Sequence, residues 1–253
     1  MPRPEPRALE VIDSRYVTPN MLRVTLGGAE LQGFPDDQES AYVKLLFDQT
    51  DGQRPLMRTY TIRNQRYDKG NQEIDIDFAI HDHPGPASAW AIQAKPGDKI
   101  LVGGPGARKL INPDGDWFLL VGDMTALPAI SVNLTLLPET ACGHAIIEIT
   151  SDADRQNLEC PPGVEIHWVT STDASAPGEN LLAAVKALAW PQGRASVWCA
   201  CEFSIMRQLR EHFRNERPVE PALRYISSYW KLGLSEDQHK AVKREDEASF
   251  AKI

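Results

Sequence analysis

Four polar and aromatic side chains within six residues form the strongest chemical signal in the sequence. Arg58, Tyr60, Thr61 and Arg63 lie between two apolar runs, which predicts an inner strand of an antiparallel barrel. A tyrosine ring can lie along a flat isoalloxazine ring, a threonine hydroxyl can hydrogen-bond its polar edge, and arginine can hold a diphosphate with paired N–H donors. The group therefore suits a flavin nucleotide. Taken alone, the motif fits a strand with solvated arginines equally well.

A turn rich in small residues is the second signal, and it leads into a helix predicted at residues 88–94. Small residues let backbone N–H groups approach a diphosphate, and a helix N-terminus adds positive potential. The residues singled out are His81, Gly85, Ala87 and Ser88. A turn that only caps a connecting helix remains an alternative. His81 and His83 have no third ligand nearby in sequence, so no metal site is expected.

Two glycine-containing turns complete the candidate chemistry. Residues 103–106 follow a predicted barrel strand and signal either a bend or a backbone contact to a cofactor. Residues 122–130 follow the first buried strand of the second half, where ligands of open α/β sheets bind. Thr125 and Ala126 are the candidate cofactor contacts in that loop. The loop lacks the GxGxxG spacing, so a standard Rossmann site is not indicated.

Composition excludes several classes of function. The 253 residues carry a net charge of -8, which argues against a general nucleic-acid binder. The N-terminus has no apolar signal-peptide core, and no window approaches a membrane span, so we expect a cytoplasmic protein without stable membrane insertion. The four cysteines match no zinc spacing, and we expect them to be structural rather than redox-active or metal-binding.

The elements that must position these residues change character near residue 113. Short strands are predicted at residues 22–26, 42–47, 58–63, 74–81 and 99–102. Strands at residues 117–121, 144–150, 165–171 and 195–201 then alternate with helices at residues 127–137, 179–189 and 202–216. A capping box at Ser235 predicts a final exposed helix. We therefore expect an all-β antiparallel barrel at residues 1–113, followed by an α/β domain with a mostly parallel sheet at residues 114–253.

With these pieces in order, the chain resembles the siderophore-interacting proteins, which are FAD-dependent ferric-siderophore reductases with a ferredoxin-reductase-like fold. Their Arg-x-Tyr-Thr-x-Arg motif is matched by Arg58, Tyr60, Thr61 and Arg63. Their diphosphate segment is matched by His81 and residues 85–91, and their Gly-Asp-x-Thr-Ala-Leu-Pro-Ala-Ile segment by residues 122–130. Their C-terminal Tyr-Trp-basic-x-Gly signature is matched by residues 229–233. Where many related reductases carry Cys-Gly-Pro, this chain has Cys201-Glu202-Phe203.

The resemblance implies FAD-dependent reduction of a ferric siderophore that releases iron(II), with the flavin rather than a catalytic side chain carrying the chemistry. The electron donor stays open among NADH, NADPH and reduced ferredoxin, which would then be a protein partner. Asp152 and Asp154, after the strand at residues 144–150, favour NADH, whereas Arg155 could attract the 2′-phosphate of NADPH. A siderophore-binding flavoprotein without reductase activity and a general NAD(P)H:flavin electron-transfer reductase are the alternatives.

Many ferric catecholate complexes are anionic, so a locally basic substrate pocket is expected despite the negative net charge. Its candidate residues are Lys44, Arg108, Lys109 and Lys231. Ordinary solvated cations remain an alternative for each of them.

Overall fold

The computed structural model describes residues 5–48, 54–68, 70–171, 173 and 175–250. The chain divides into two compact units. The first comprises Met1–Lys109 and Ser131–Asn133, and the second comprises Leu110–Ile130 and Leu134–Ile253. The main division thus falls between Lys109 and Leu110, four residues before the boundary expected from sequence. No helix in the described part of the chain is long and apolar enough to cross a membrane.

The first unit is a closed, six-stranded antiparallel barrel with a short helix. Its strands are β1 (Arg7–Thr18), β2 (Met21–Gly27), β3 (Tyr42–Phe47), β4 (Leu56–Asp68), β5 (Asn71–Ala79) and β6 (Lys99–Gly103). They close in the order β1-β2-β5-β4-β3-β6. Helix α1 (Pro86–Gln93) connects β5 to β6. The predicted antiparallel barrel is confirmed.

Strand β5 shows why the barrel closes. Ile74, Ile76 and Phe78 alternate along it and are fully buried, as expected for residues that fill a barrel interior. The intervening Asp75 and Asp77 lie on the opposite face, yet they are also buried. Arginine side chains satisfy them: Arg23 forms a paired contact with Asp77, with N···O distances of 2.6 and 2.8 Å, and Arg66 contacts Asp75 at 2.6 Å.

The second unit is a five-stranded parallel sheet with helices. Its strands are β7 (Trp117–Gly122), β8 (Cys142–Ile149), β9 (Gly163–Thr170), β10 (Ala195–Glu202) and β11 (Arg224–Trp230). The helices are α2 (Leu127–Leu136), α3 (Glu179–Ala187), α4 (Phe203–Glu211) and α5 (Glu236–Phe250). The strand order is β11-β10-β7-β8-β9. The chain therefore changes direction across the sheet between β7 and β10, which makes their carboxyl ends the topological switch point.

Two strands were not anticipated from sequence. No strand was assigned to β1, where register shifts after Val11 and Tyr16 interrupt the apolar alternation. None was assigned to β11 either, because two serines, Ser227 and Ser228, stand in its centre and both are nevertheless buried or nearly so. The predicted helix at residues 202–216 ends as α4 at Glu211 and continues as a wider, π-type turn.

Helix α4 and the turn after it bury an apolar stripe, and two arginines of α4 form ion pairs with α5. Ile205, Leu209 and Phe213 recur every four residues and are buried. Arg207 and Arg210 lie on another face and contact Asp246 of α5 at 3.1 and 2.7 Å, and the Arg207 side chain stays exposed. These ion pairs help to fix the C-terminal helix.

Ser235 and Gln238 form the predicted capping box of α5: the Gln238 N–H donates to the Ser235 hydroxyl at 3.4 Å, and the Ser235 N–H donates to the Gln238 side chain at 2.9 Å. The helix is not exposed all round, however, because His239 is buried and hydrogen-bonds the Ser228 hydroxyl at 2.8 Å.

Candidate functional site

Strand β4 carries the flavin-type motif on an irregular part of the barrel wall. Arg58 and Tyr60 pair across the ladder with Leu45 and Val43 of β3, and both side chains are half-buried. The register between β4 and β5 shifts at Arg63, between Ile62 and Asn64. Such bulges re-aim side chains. The shift places Arg63 beside the buried Arg23–Asp77 pair rather than in the simple alternation of the strand.

The Arg63 guanidinium is a group with unmet hydrogen-bonding capacity. Its Nε atom is buried and has no hydrogen-bond partner among the described residues. Burial is the main cause that lowers the pKa of Arg63, and the neighbouring Arg23 lowers it further, while the Asp77 carboxylate opposes both. A buried donor without a partner is costly unless a ligand satisfies it. This atom therefore fits an anionic group such as a diphosphate.

An aromatic cluster joins the motif to α1. The Tyr60 ring lies 4.4 Å from the Phe78 ring between centroids, and the Phe78 ring lies 6.0 Å from that of Trp90 in α1. Helix α1 begins after Gly85 without a side-chain cap. A Cβ atom at Gly85 would meet nothing within 4 Å, so the space before this helix N-terminus is open. Ala87 and Ser88, in its first turn, are buried, whereas His81 is exposed in the preceding loop.

The glycine turn after β6 has a packing explanation. The Gly106 N–H donates to the Tyr42 carbonyl at 2.7 Å, and a Cβ atom at Gly106 would lie 2.1 Å from the Tyr42 ring. The following residues continue beside β3: Arg108 Nε donates to the Glu39 carbonyl at 2.8 Å, and the Lys109 N–H donates to the Ser40 carbonyl at 3.2 Å. The turn is thus built around the Tyr42 ring.

At the switch point of the second unit, Asp123 organises the loop after β7. Its Oδ1 accepts hydrogen bonds from the Thr125 N–H at 2.9 Å and the Thr125 hydroxyl at 2.5 Å. Its Oδ2 accepts from Trp230 Nε1 at 2.8 Å, which connects the ends of β7 and β11. Burial raises the pKa of Asp123, and the hydrogen bonds from Thr125 and Trp230 oppose that rise. Thr125 is exposed, whereas Ala126 is fully buried and donates its N–H to the Asp123 carbonyl.

Glu202, at the carboxyl end of β10, accepts hydrogen bonds from backbone N–H groups of two segments. Its Oε2 accepts from the Ser204 N–H at 2.5 Å and the Ile205 N–H at 3.3 Å, which caps α4. Its Oε1 accepts from the Leu232 N–H at 3.2 Å. The side chain is buried, so both carboxylate oxygens are used to hold backbone in place. The glutamate that departs from the Cys-Gly-Pro pattern therefore has a structural role in this chain.

The candidate substrate residues belong to different units. Lys44, Arg108 and Lys109 are half-buried in the first unit, and Lys44 pairs across the ladder with Thr59 and Gly103, next to Arg58. Lys231 is in the second unit, where its Nζ lies 4.4 Å from the centroid of the Phe203 ring.

A groove of about 340 Å³ in the first unit contains none of the candidate residues. Its lining residues are Ala8, Leu46, Phe47, Asp48, Trp90, Lys99, Ile100 and Leu101.

The charged residues after β8, which could discriminate NADH from NADPH, do not all face solvent. Asp154 is fully buried and accepts a hydrogen bond from the Thr150 hydroxyl at 3.2 Å, so it presents no surface charge to a ligand. Asp152 is exposed and contacts Arg155 at 2.7 Å. The Arg155 hydrogen bond is the main cause that lowers the pKa of Asp152. The two exposed charges of this segment, Asp152 and Arg155, therefore form an ion pair with each other.

Sequence reasoning missed one cluster of ligand-type side chains. His144 of β8 and Glu165 and His167 of β9 offer three ligand atoms within 4.8 Å of one another. The strand alternation Glu165-Ile166-His167 is the signal that could have found two of them, since residues two apart share a face. Their partner, His144, becomes visible only from the pairing of β8 with β9.

Comparison with known proteins identifies both units. The siderophore-interacting FAD-binding domain matches residues 10–53 and 48–109, and the siderophore-interacting protein model matches residues 115–233. The ferric vibriobactin reductase ViuB of Vibrio cholerae is 32% identical over 253 residues, covering 92% of each chain. The NADPH-dependent ferric-chelate reductase of Escherichia coli is 28% identical, over 88% of this chain and 92% of that protein.

Solved structures show the same similarity. The siderophore-interacting protein SipS from Aeromonas hydrophila superposes with a TM-score of 0.84 and 32% identity, over 96% of this chain and 98% of that chain. The resemblance expected from the sequence motifs is confirmed, and the first unit is an FAD-binding domain. The chain belongs to the siderophore-interacting protein family.

Proposed function

We propose that this protein uses FAD to reduce ferric siderophores and thereby releases iron(II). The observation that carries the proposal is the arrangement in the first unit. The buried Nε of Arg63, which has no hydrogen-bond partner among the described residues, and the uncapped, open N-terminus of α1 both suit an anionic cofactor. The names of the relatives, a ferric vibriobactin reductase and a ferric-chelate reductase, support the same chemistry.

In this proposal each candidate residue has a defined role toward FAD. Arg58 and Arg63 hold the diphosphate with charged N–H donors, and the half-buried Tyr60 ring supports the isoalloxazine. The Thr61 hydroxyl hydrogen-bonds the polar edge of that ring.

The remaining candidate residues contact FAD mainly through backbone N–H groups, or leave room for it because their side chains are small. The first-turn N–H groups of Ala87 and Ser88 complete the anion site, Gly85 leaves room for close approach, and the exposed His81 contacts the nucleotide. In the second unit, the exposed Thr125 is the proposed cofactor contact. Ala126 serves to shape the turn, because the structure buries it completely.

The bound flavin would supply the redox chemistry, since it accepts two electrons together and can pass them on singly. Siderophore oxygens are hard ligands that suit iron(III), and iron(II) is held more weakly, so reduction lets the metal leave. The chain needs no catalytic acid or base for this reaction. Its residues bind the cofactor, orient it and attract the substrate, which we propose is an anionic ferric siderophore contacted by Lys44, Arg108, Lys109 and Lys231.

The proposed electron donor is a reduced nicotinamide nucleotide, and the proposed location is therefore the cytoplasm. Asp154 is buried and Asp152 is paired with Arg155, so these aspartates disfavour NADPH less than the sequence suggested. The NADPH dependence in the name of the Escherichia coli relative favours NADPH. Reduced ferredoxin stays as a further donor to be tested.

Anaerobic kinetics with the purified, FAD-loaded protein test the proposal. NADH, NADPH or reduced ferredoxin is mixed with the protein, and flavin bleaching is followed before a ferric catecholate siderophore and an iron(II)-specific chelator are added. We expect one donor to bleach the flavin quickly and the siderophore to reoxidise it as the iron(II) complex appears. The Arg58→Ala/Tyr60→Ala double variant, which should fold but remain largely without FAD, is the matched control.

The outcomes separate the alternatives. Tight siderophore binding without flavin reoxidation would identify a binding flavoprotein and overturn the reductase proposal. Fast reoxidation by free flavin or other acceptors, but not by the ferric siderophore, would identify a general electron-transfer reductase. A protein that cannot be loaded with FAD would contradict the proposal at its first step.

A further inference from the structure

Three side chains on neighbouring strands of the second unit form a compact set of potential metal ligands. His144 of β8 pairs in register with Glu165 of β9, and Ile146 pairs with His167. All three side chains therefore share one face of the sheet. His144 Nδ1 lies 3.0 Å from His167 Nε2 and 3.8 Å from a Glu165 carboxylate oxygen, and His167 Nε2 lies 3.6 Å from the same oxygen.

These three distances are close to the edge lengths of a coordination tetrahedron. Zinc binds histidine nitrogen and carboxylate oxygen at about 2.0–2.2 Å, which separates neighbouring ligand atoms by about 3.3–3.6 Å. The observed separations bracket that range, so small side-chain rotations suffice to bring the ligand atoms to bonding distance. The 3.0 Å contact between the two rings is a hydrogen bond in which one imidazole N–H donates to the other ring nitrogen.

The surroundings restrict the ligands yet leave the cluster accessible. The side chains of His144 and His167 are 20% and 34% exposed, whereas that of Glu165 is 68% exposed. The buried Trp117 ring stands edge-on to His144, at 6.5 Å between centroids, and forms an apolar wall. Strand pairing fixes the backbone of all three ligands, and an apolar surrounding strengthens their attraction for a cation. The exposed Glu165 side chain leaves one side of the cluster open to solvent.

We propose that His144, Glu165 and His167 bind one Zn²⁺ ion. Two imidazoles and one carboxylate select borderline transition metals such as zinc, nickel and copper rather than Mg²⁺ or Ca²⁺. His144 and Glu165 are the third residues of β8 and β9, and His167 is the fifth residue of β9, so the cluster lies away from the carboxyl ends that form the switch point. The site is therefore separate from the switch-point loop and does not depend on the proposed reductase function.

Zinc titration of the full-length, FAD-loaded and chelator-treated protein by isothermal calorimetry tests the proposal. We expect one saturable Zn²⁺ site per chain that excess Mg²⁺ does not displace. The double variant His144→Asn/His167→Gln should raise the dissociation constant for Zn²⁺ far more than tenfold, and Glu165→Gln should raise it about tenfold. Glu159→Gln, which changes an exposed glutamate outside the cluster, is the matched control and should leave it unchanged.

A second measurement works on the unmodified protein and does not depend on the folding of the variants. Diethyl pyrocarbonate modification is mapped by mass spectrometry with and without Zn²⁺. Zinc should protect His144 and His167 together, while the exposed His83 reacts equally in both samples. The proposal is overturned if no saturable site exists, if the double variant binds Zn²⁺ as tightly as the wild type, or if the protected histidines are others.

Discussion

Arg63 and Arg23 lie side by side in the barrel wall, yet their pKa values are shifted in opposite directions. Arg23 has a paired contact with Asp77, and its hydrogen bond with that carboxylate is the main cause that raises its pKa. Burial lowers the pKa of Arg63, whose Nε has no partner among the described residues. A lowered arginine pKa means that the folded protein disfavours the charge. A group kept at such a cost is expected to serve a ligand.

The first prediction follows from this contrast. Arg63→Met should leave the unfolding free energy of the FAD-free protein unchanged or raise it, and should raise the dissociation constant for FAD at least tenfold. Arg23→Met should instead cost about 3 kcal/mol of stability, because it leaves the buried Asp77 unpaired. Urea unfolding of the FAD-free proteins and FAD titration measure the two effects. Equal destabilisation by both variants would show that Arg63 is a structural residue.

The second prediction concerns Asp123 and pH. Its pKa is raised by burial, so its contribution to stability is fully present below its unfolded pKa and is lost as the pH rises through the folded pKa. Asp123→Asn has no such titration. The unfolding free energy of the wild type minus that of Asp123→Asn should therefore be more positive at pH 4 than at pH 7. Urea unfolding at both pH values gives the difference, and a value independent of pH would contradict the assignment.

At the scale of elements, the carboxyl edge of the parallel sheet is held together by carboxylates. Glu202 caps α4 and also binds the Leu232 N–H, so one side chain fixes a helix start and the segment after β11. We predict that Glu202→Ala lowers the unfolding free energy by about 2–3 kcal/mol, since three backbone N–H groups lose their acceptor. Glu202→Gln should lose less, because one oxygen remains. Gln208→Ala, exposed on the same helix, is the control for thermal or urea unfolding.

Gly85 precedes helix α1 of the first unit, and Gly122 precedes helix α2 of the second unit. Substitution of these two glycines by alanine should have different effects. A Cβ atom at Gly122 would lie 2.7 Å from Ala126 Cβ and 2.8 Å from the Ala200 carbonyl oxygen, so α2 can approach β7 only where glycine stands. Gly85 has open space and φ of -72°, which any residue adopts. Gly122→Ala should cost about 1–3 kcal/mol of stability. Gly85→Ala should leave stability nearly unchanged and weaken FAD binding, and the reverse pattern would contradict both assignments.

The sequence predicted most elements because their apolar periodicity is regular. Strand β3 matched the predicted residues, and most of the other predicted strands and helices matched within three residues. Strand β4 extends five residues beyond the predicted end, and α4 ends five residues before it. Strands β1 and β11 escaped because bulges and buried serines break the alternation.

The residue types of the candidate site were predictable from motifs, but their long-range partners were not. The Trp230–Asp123 hydrogen bond joins residues 107 positions apart. The bulge that re-aims Arg63 arises from pairing with β5. Both depend on tertiary structure, which local sequence patterns do not encode.

At the scale of the whole molecule, net charge and substrate charge oppose each other. The chain has 35 acidic and 27 basic residues, so its average field repels an anionic ferric siderophore. Binding of such a substrate therefore needs cations placed close to it. Lys44 is the candidate that stands nearest to the flavin motif in the ladder, since it pairs with Thr59 beside Arg58. Lys95 is exposed elsewhere in the same unit and carries the same charge.

The last prediction compares Lys44 with Lys95. It distinguishes direct contact with the siderophore from the effect of the protein's overall charge. Lys44→Ala together with Arg108→Gln should raise the dissociation constant for an anionic ferric siderophore at least tenfold, or about 1.4 kcal/mol, without changing FAD content. Lys95→Ala changes the net charge but no proposed contact, so its effect should be small. Lys231→Ala tests the second unit in the same assay.

The salt dependence of that assay provides the decisive comparison. Added salt screens exposed charges, so the loss caused by Lys44→Ala with Arg108→Gln should shrink as ionic strength rises. Fluorescence titrations at low and high salt measure it. If Lys95→Ala weakens binding at low salt as much as Lys44→Ala does when measured singly, the siderophore responds to the overall field of the protein, and Lys44 is not part of a substrate site. If neither substitution alters binding at low salt, the substrate is not held by these cations.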